Sequence, residues 1–263
     1  VEYTDKVFTL SNSTKIYTGK KPGRVLKNAV DFLLEDLLFY FDIKPQVINQ
    51  PAPSDAQNAI ILCLKDSISH KACLNSNLKL PQHKEAYCLL VNNKNVYISA
   101  NTQQGIFYGI TTLLQLAQLD NNRISFKGAE ITDYPAMDFR GIHFFSGKNS
   151  EPQISKAIKN LLARFKINTL AWQCEYVNWD AKKGTEHPLF GMKKENALKV
   201  FKSADKNNVE MIPFIQSLGH AEWTFVNDKN LDLAEDPDYP YAHCVTNPRT
   251  YEFLFNIYQE VLD

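Results

Sequence analysis

Apolar residues recur along this chain at two spacings, and the way the resulting elements alternate changes near residue 134. Between Gly23 and Phe41, residues Leu26, Val30, Leu33, Leu34, Leu37 and Leu38 fall at helical spacing, which predicts a helix that Pro45 stops from beyond. A polar loop with Pro51 and Pro53 follows, and then the short apolar run Asn58–Leu64 reads as a buried strand. Glu85–Ala100 holds two β-rich runs around Asn92, Asn93, Lys94 and Asn95, the pattern of a hairpin with a tight turn. Thr102–Leu119 predicts a long helix with Phe107, Ile110, Leu113, Leu114 and Ala117 on one side, and Ile124–Ile131 predicts a strand. Helices packed on one face of a mainly antiparallel sheet fit this order, an α+β arrangement.

Beyond Asp133-Tyr134-Pro135, short apolar strands alternate with helices. The expected strands are Gly141–Phe145, Asn168–Gln173 and Met211–Ile215. The first helix starts at Ser150, with Gln153 as a capping-box partner and Ile154, Ile158, Leu161, Leu162 and Phe165 on one face. The second spans Lys194–Lys206. The third starts at Asn247, an N-cap followed by Pro248, and carries Tyr251, Leu254, Phe255, Tyr258 and Leu262. Repeated βα units imply parallel strands. Three such units are too few to close an eight-stranded barrel, and a doubly wound sheet fits the same pattern. No GxGxxG or Walker A loop follows any strand, so nothing supports a nucleotide site.

Composition narrows the function classes. Lysine plus arginine and aspartate plus glutamate are balanced at 29 each, which argues against nucleic acid or an anionic membrane as a partner bound by bulk charge. No apolar run is long enough for a membrane span. The five cysteines, Cys63, Cys73, Cys88, Cys174 and Cys244, form no CxxC pair, and buried free thiols are the expectation. The chain begins at Val1 rather than methionine, as a mature or trimmed product does.

Active sites of βα folds gather at the carboxyl ends of the strands. Read there, the candidates are Arg140 and His143 around the first strand, Glu175 after the second, Gln216, His220 and Glu222 after the third, and Asn247 before the last helix. Each also has a plainer role. Arg140 serves equally as a salt-bridge partner at the domain junction. His143 suits a satisfied core histidine, and Glu222 suits the start of a helix. Glu175, a carboxylate ending an apolar strand, is costly there unless paired. No HxxxH or HxH pair supports a metal, and no GxSxG elbow supports a serine nucleophile, so neither a metal nor a cofactor is expected.

Four stretches together resemble glycoside hydrolase family 20, the β-N-acetylhexosaminidases. Gly105, Phe107, Tyr108, Gly109, Thr112, Leu113, Gln115 and Leu116 resemble the close of the small domain before that family's barrel. Ile131–Pro135 followed by Phe139-Arg140-Gly141 is similar to its entry into the first barrel strand. Ile212–His220 is similar to its third-strand motif, and Thr246-Asn247-Pro248 with Thr250, Tyr251, Phe253 and Leu254 to the helix before the fourth strand. Gln216 before Gly219-His220, and Glu175, are closest to the hexosaminidase D-like branch; better-known members have an acidic residue and a proline where Gln216 and Leu218 stand.

The resemblance implies an α+β domain over 1–133, then the first part, about three βα units, of a TIM (β/α)8 barrel over 134–263. It implies retaining, substrate-assisted hydrolysis of terminal N-acetylhexosamine residues from a glycan, in a periplasmic or extracellular setting. Arg140 would bind hydroxyls of the terminal sugar, and His220 with Glu175 would form a hydrogen-bonded pair supporting the general acid. His143, Gln216, Glu222 and Asn247 are further candidates around them. The family's catalytic Asp-Glu pair ends the fourth strand, and no Asp-Glu dipeptide follows Glu175 here. The expectation is therefore an inactive N-terminal fragment of an active parent. A non-catalytic carbohydrate-binding or scaffold protein is the alternative. A barrel piece with open apolar edges is also expected to associate with itself through them.

Overall fold

The computed structural model describes residues 1–65, 78–120 and 123–263, and these divide into two units, Val1–Asp138 and Phe139–Asp263. The boundary expected at 133/134 lies five residues before this division. Cys73 lies outside the described residues; Cys88 and Cys174 are buried free thiols, Cys63 is buried, and Cys244 is partly exposed.

In the first unit the strands are β1 (Glu2–Thr9), β2 (Lys15–Tyr17), β3 (Gln46–Ile48), β4 (Ala59–Leu64), β5 (Tyr87–Val91), β6 (Asn95–Ala100), β7 (Ala117–Asp120) and β8 (Arg123–Asp133). They form one sheet in the order β1-β8-β5-β6-β4-β2-β3, with β7 also on β8. The expectation of a mainly antiparallel sheet needs correcting. β1, β8, β5 and β6 pair antiparallel, but β6, β4, β2 and β3 pair parallel, so the sheet is mixed. The physical sign is in β4 itself. AIILCL does not alternate; its first five residues are buried, as befits an interior strand with parallel neighbours.

Two helices belong to this unit. Helix α1 (Arg24–Phe41) buries Leu26, Ala29, Val30, Phe32, Leu33 and Leu37 and ends where Asp42 turns left-handed. There the amides of Asp42 and Ile43 reach back to the carbonyls of Leu38 and Leu37, a Schellman-type stop. Helix α2 (Gln103–Gln115) is capped by Thr102, whose hydroxyl accepts from the Gly105 amide. It packs on α1 through Phe107 against Phe32, rings 5.3 Å apart and edge-on, and lies on β4, β5 and β6. Glycine at Gly105 and Gly109 permits that approach: a Cβ at Gly105 would stand 2.5 Å from the Ala86 carbonyl oxygen, and one at Gly109 would meet Ile98. The helix stops four residues short of the expected Leu119, because Ala117–Asp120 pairs with β8 as strand β7.

The second unit is built on three parallel strands, β9 (Gly141–Phe145), β10 (Thr169–Gln173) and β13 (Glu210–Phe214), with β10 central. The strands β11 (Val177–Asn178) and β12 (Met192–Lys193) form a separate small ladder. Register places His143, Ala171 and Ile212 in one row and Phe145, Gln173 and Phe214 in the next, on the same face. Trp172, on the other face, is fully buried and meets Phe201 edge-on. The His143 face is open: Phe145 is 66% exposed and Phe214 43%.

Helix α3 (Glu151–Ala157) runs into a π-helical stretch, Ile158–Ala163. The extra residue in that wide turn shifts the face, so Ile154, Ile158 and Leu162 are buried whereas the expected Leu161 and Phe165 are exposed. Ser150 does not form the expected capping box. Its hydroxyl accepts from the Gly147 amide and donates to the Gly147 carbonyl instead. Helix α4 (Lys194–Lys206) matches its predicted span. Helix α5 (Pro248–Leu262) buries Thr250, Leu254 and Ile257; the predicted face was partly misplaced, since Phe255 and Leu262 point outward. Among the described residues no helix is long and apolar enough to cross a membrane.

Candidate active site

The carboxyl ends of β10 and β13 carry most of the polar groups named from sequence. Glu175, two residues past β10, is 2% exposed. Gln173 Nε2 donates to its Oε1, while Oε2 makes no hydrogen bond to any described residue. Burial pushes this carboxyl up from its ordinary range; the Gln173 hydrogen bond, Lys182 and His143 all pull it back down. The neighbouring Cys174 thiol is pushed by burial up to about 12, so it stays protonated and inert. Tyr176 is raised first by burial and then by the charges of Glu222 and Glu175, which places these three groups in one field.

Past β13 the chain folds into a tightly bonded loop. Gln216 is partly exposed, and its carbonyl accepts from Trp223 Nε1 at 2.8 Å. His220 adopts φ 53°, a left-handed backbone that turns the chain after Gly219. Its ring is exposed and lies 2.7 Å (Nδ1) and 2.9 Å (Nε2) from the Tyr241 hydroxyl. Glu222 starts a short 3-10 turn, Glu222–Thr224, and its side chain is exposed. Beneath them His243 is buried: its Nδ1 donates to the Ser217 carbonyl at 2.6 Å and its Nε2 accepts from the Thr224 hydroxyl at 3.0 Å. Burial lowers its pKa, so this histidine is a neutral brace.

Four candidates named from sequence occupy other places or plainer roles. Arg140 stands at the amino end of β9, the opposite end of the parallel sheet from Glu175. Its Nε donates to the Lys166 carbonyl at 2.7 Å and its own backbone is tied to Asn168, so it clasps the turn entering β10 and is not placed to hold a sugar at the carboxyl rim. His220 is hydrogen-bonded to Tyr241, not to Glu175, so the expected dyad is not formed. Asn247 is a structural cap, accepting from the Arg249 amide and donating to the Asp232 carbonyl. His143 lies on the open face with its ring against Phe145 and Phe214, not in a satisfied core.

The cation beside Glu175 is one that sequence reading passed over. Lys182 sits in the loop after β10, 3% exposed, with its Nζ over the Trp223 ring at 5.6 Å. Burial pulls it down to about 8, against the raising fields of Glu186, Glu175 and Cys174. No periodic pattern flags it, and a lysine in a polar loop reads as solvated. Among the described residues no group of three or more His, Cys, Asp or Glu side chains is arranged to hold a metal ion.

Known proteins frame this geometry. The family model for glycosyl hydrolase family 20, domain 2, matches residues 1–134. The chain is 29% identical over 192 residues to β-hexosaminidase subunit A2 of Dictyostelium discoideum, covering 67% of this chain and 35% of that protein. It is 29% identical over 213 residues to a β-hexosaminidase of Porphyromonas gingivalis, covering 69% of this chain and 25% of that one. The chain thus spans about a third or less of these relatives. Among solved structures, the N-acetyl-β-hexosaminidase of Streptomyces plicatus superposes with TM-score 0.78 at 19% identity, over 99% of this chain and 55% of its own. The chitobiase of Flavobacterium johnsoniae gives 0.77 at 20% identity, over 99% and 41%. These last two likenesses establish fold, whereas the family model covers half the sequence. On that match, the chain belongs to glycosyl hydrolase family 20.

Proposed function

We propose that this chain is part of a β-N-acetylhexosaminidase that removes terminal non-reducing N-acetylhexosamine residues from glycans by a retaining, substrate-assisted route. In this reading β9, β10 and β13 are the first three strands of a (β/α)8 barrel, and their carboxyl ends form one side of the sugar cleft. One observation supports it most: Glu175, Tyr176, Gln216, His220 and Glu222 gather at one end of a parallel sheet, directly after a family 20 domain 2. Glu175 supplies a fixed buried acceptor below the reacting groups. The exposed His220–Tyr241 pair and Glu222 supply hydrogen-bonding groups at the rim for sugar hydroxyls.

The general acid is not among these candidates, since no Asp-Glu dipeptide follows Glu175. Hydrolysis of an aryl N-acetyl-β-glucosaminide, with the product anomer followed by proton NMR, tests the reading. We expect no turnover by the 263-residue chain and release of the β-anomer by its whole gene product. Turnover by the chain alone would place the acid within it. A whole product that binds N-acetylglucosamine without cleaving would favour the non-catalytic carbohydrate-binding alternative. A periplasmic or extracellular setting belongs to the same proposal and is checked by cell fractionation.

A further inference from the structure

A carboxylate and an ammonium lie in the interior of the second unit, close enough to feel each other's charge, yet not hydrogen-bonded to one another. Glu175 Oε2 and Lys182 Nζ are both buried and make no hydrogen bond to any described residue. Each is among the charges that shift the other. In a low-dielectric interior either charge alone is costly, and opposite charges offset that cost only when they are held in place.

Lys182 is held in place from several sides. It ends the 3-10 turn Asp180–Lys182. From α5, the Glu260 carboxylate accepts from the Asp180 and Ala181 amides at 2.9 and 2.8 Å, and Lys194 of α4 bonds both Glu260 and Asp180. Trp179 pins the turn to the end of β10 by donating to the Cys174 carbonyl at 3.0 Å. Behind it, the Lys182 carbonyl accepts from the Thr185 hydroxyl at 2.9 Å. The side chain then lies against the face of Trp223, which the loop after β13 supplies. Three segments therefore converge on this one buried lysine, in a turn that Trp179 ties to the end of β10.

We propose that Lys182 is a positioning residue for the carboxyl-end site: it is an internal counter-cation of Glu175, in the place where a histidine partner was expected, and its charge favours the carboxylate form under the rim. The inference deepens the hexosaminidase reading and rests on it for its purpose, but not for its test. The charged and titratable groups around the pair are Cys174 and Glu186 from its own loop and strand end, His143 from β9, and Tyr176 with Glu222 above. His143 also acts on Glu175, in the same direction as Lys182.

The experiment is a carbon-13 NMR titration of the Glu175 carboxyl and the Lys182 ε-carbon in the full chain, with no sugar present. In Lys182→Met, the Glu175 midpoint should rise by about one pH unit or more, since an opposite charge nearby lowers an acid's pKa by that order. Lys182→Arg should keep it near the parent value. In Glu175→Gln, the Lys182 midpoint should fall, which reads the same coupling from the other side should Lys182→Met not fold. Unmoved midpoints in folded variants would overturn the proposal and leave the hexosaminidase reading intact. Loss of stability alone, without a shift, would mark Lys182 as merely structural.

Discussion

The two units use their apolar residues differently. In the first, the central strands β4, β5, β6 and β8 put nearly every apolar side chain out of water, and the large exposed ones lie on the edge strand β1, at the end of α1, at Leu119 of β7 and near the unit's ends. In the second, one face of the parallel sheet is packed by helices through Trp172, while the other leaves Phe145, Ile212 and Phe214 accessible. Purely parallel sheets are stable with both faces covered. An apolar groove of about 310 Å³ continues the open region, lined by Pro213, Phe214, Ile215, Tyr258, Val261 and Leu262. The contrast teaches that the first unit covers its own hydrophobic pattern, whereas the second leaves one apolar face of its sheet exposed.

The sharpest test of that contrast is a pair of truncations in one sheet. Trp172→Ala removes a fully buried ring and should cost about 3–5 kcal/mol in urea unfolding. Phe214→Ala on the open face should cost under about 1 kcal/mol. Equal losses would mean that the open face is packed in solution.

The buried lysine comes next. Its folded pKa of about 8 lies below the ordinary 10.5, so between those values the unfolded chain binds more protons and stability gains with rising pH. The gain is on the order of 3 kcal/mol at most. It is full above the unfolded value and is lost as pH falls through about 8. Cys174 titrates in an overlapping window with the opposite sign, because burial raises it from 9.0 to about 12. The measurement is therefore the stability difference between the parent and Lys182→Met from pH 7 to 11, and a constant difference would contradict the assignment.

In the first unit, Gly105→Ala should cost about 1–3 kcal/mol through overpacking, because the added Cβ meets the Ala86 carbonyl and Ala100. A fully tolerated alanine in thermal unfolding would show that α2 can lift from the sheet. Asn247→Ala should cost about 1 kcal/mol by removing the α5 cap. The smallest effect on stability is expected from Phe145→Ser with Phe214→Ser. Sedimentation velocity should nonetheless show that the pair reduces self-association through the open face, and a parent chain that stays monomeric at high concentration would remove that expectation.

Much of the secondary structure was legible from local pattern. The hairpin β5–β6 was marked by Asn92, whose side chain accepts from the Lys94 and Asn95 amides. Helix α5 was marked by Asn247-Pro248, and α4 by its apolar spacing. Such signals involve residues within a few positions of each other, so the chain carries them whatever its fold. Short β2 and β3 left no such trace, because three residues hold too little periodicity to read. The π turn also escaped, since an added residue in one turn changes a helical face without altering composition.

The site shows the limit more clearly. That Glu175 needed a partner followed from its place beside apolar residues, because an isolated buried charge is expensive. Which partner it has was decided in three dimensions. Arg140 ends on the wrong side of the sheet because it precedes β9, and His220 turns away to Tyr241. Lys182 becomes an interior cation only because Glu260 and Trp223, each tens of residues further along, close around its loop. The sequence by itself determined most of the longer elements and the need for a counter-charge. Only the tertiary structure decided who supplies it, since burial of a charge depends on neighbours that no local spacing encodes.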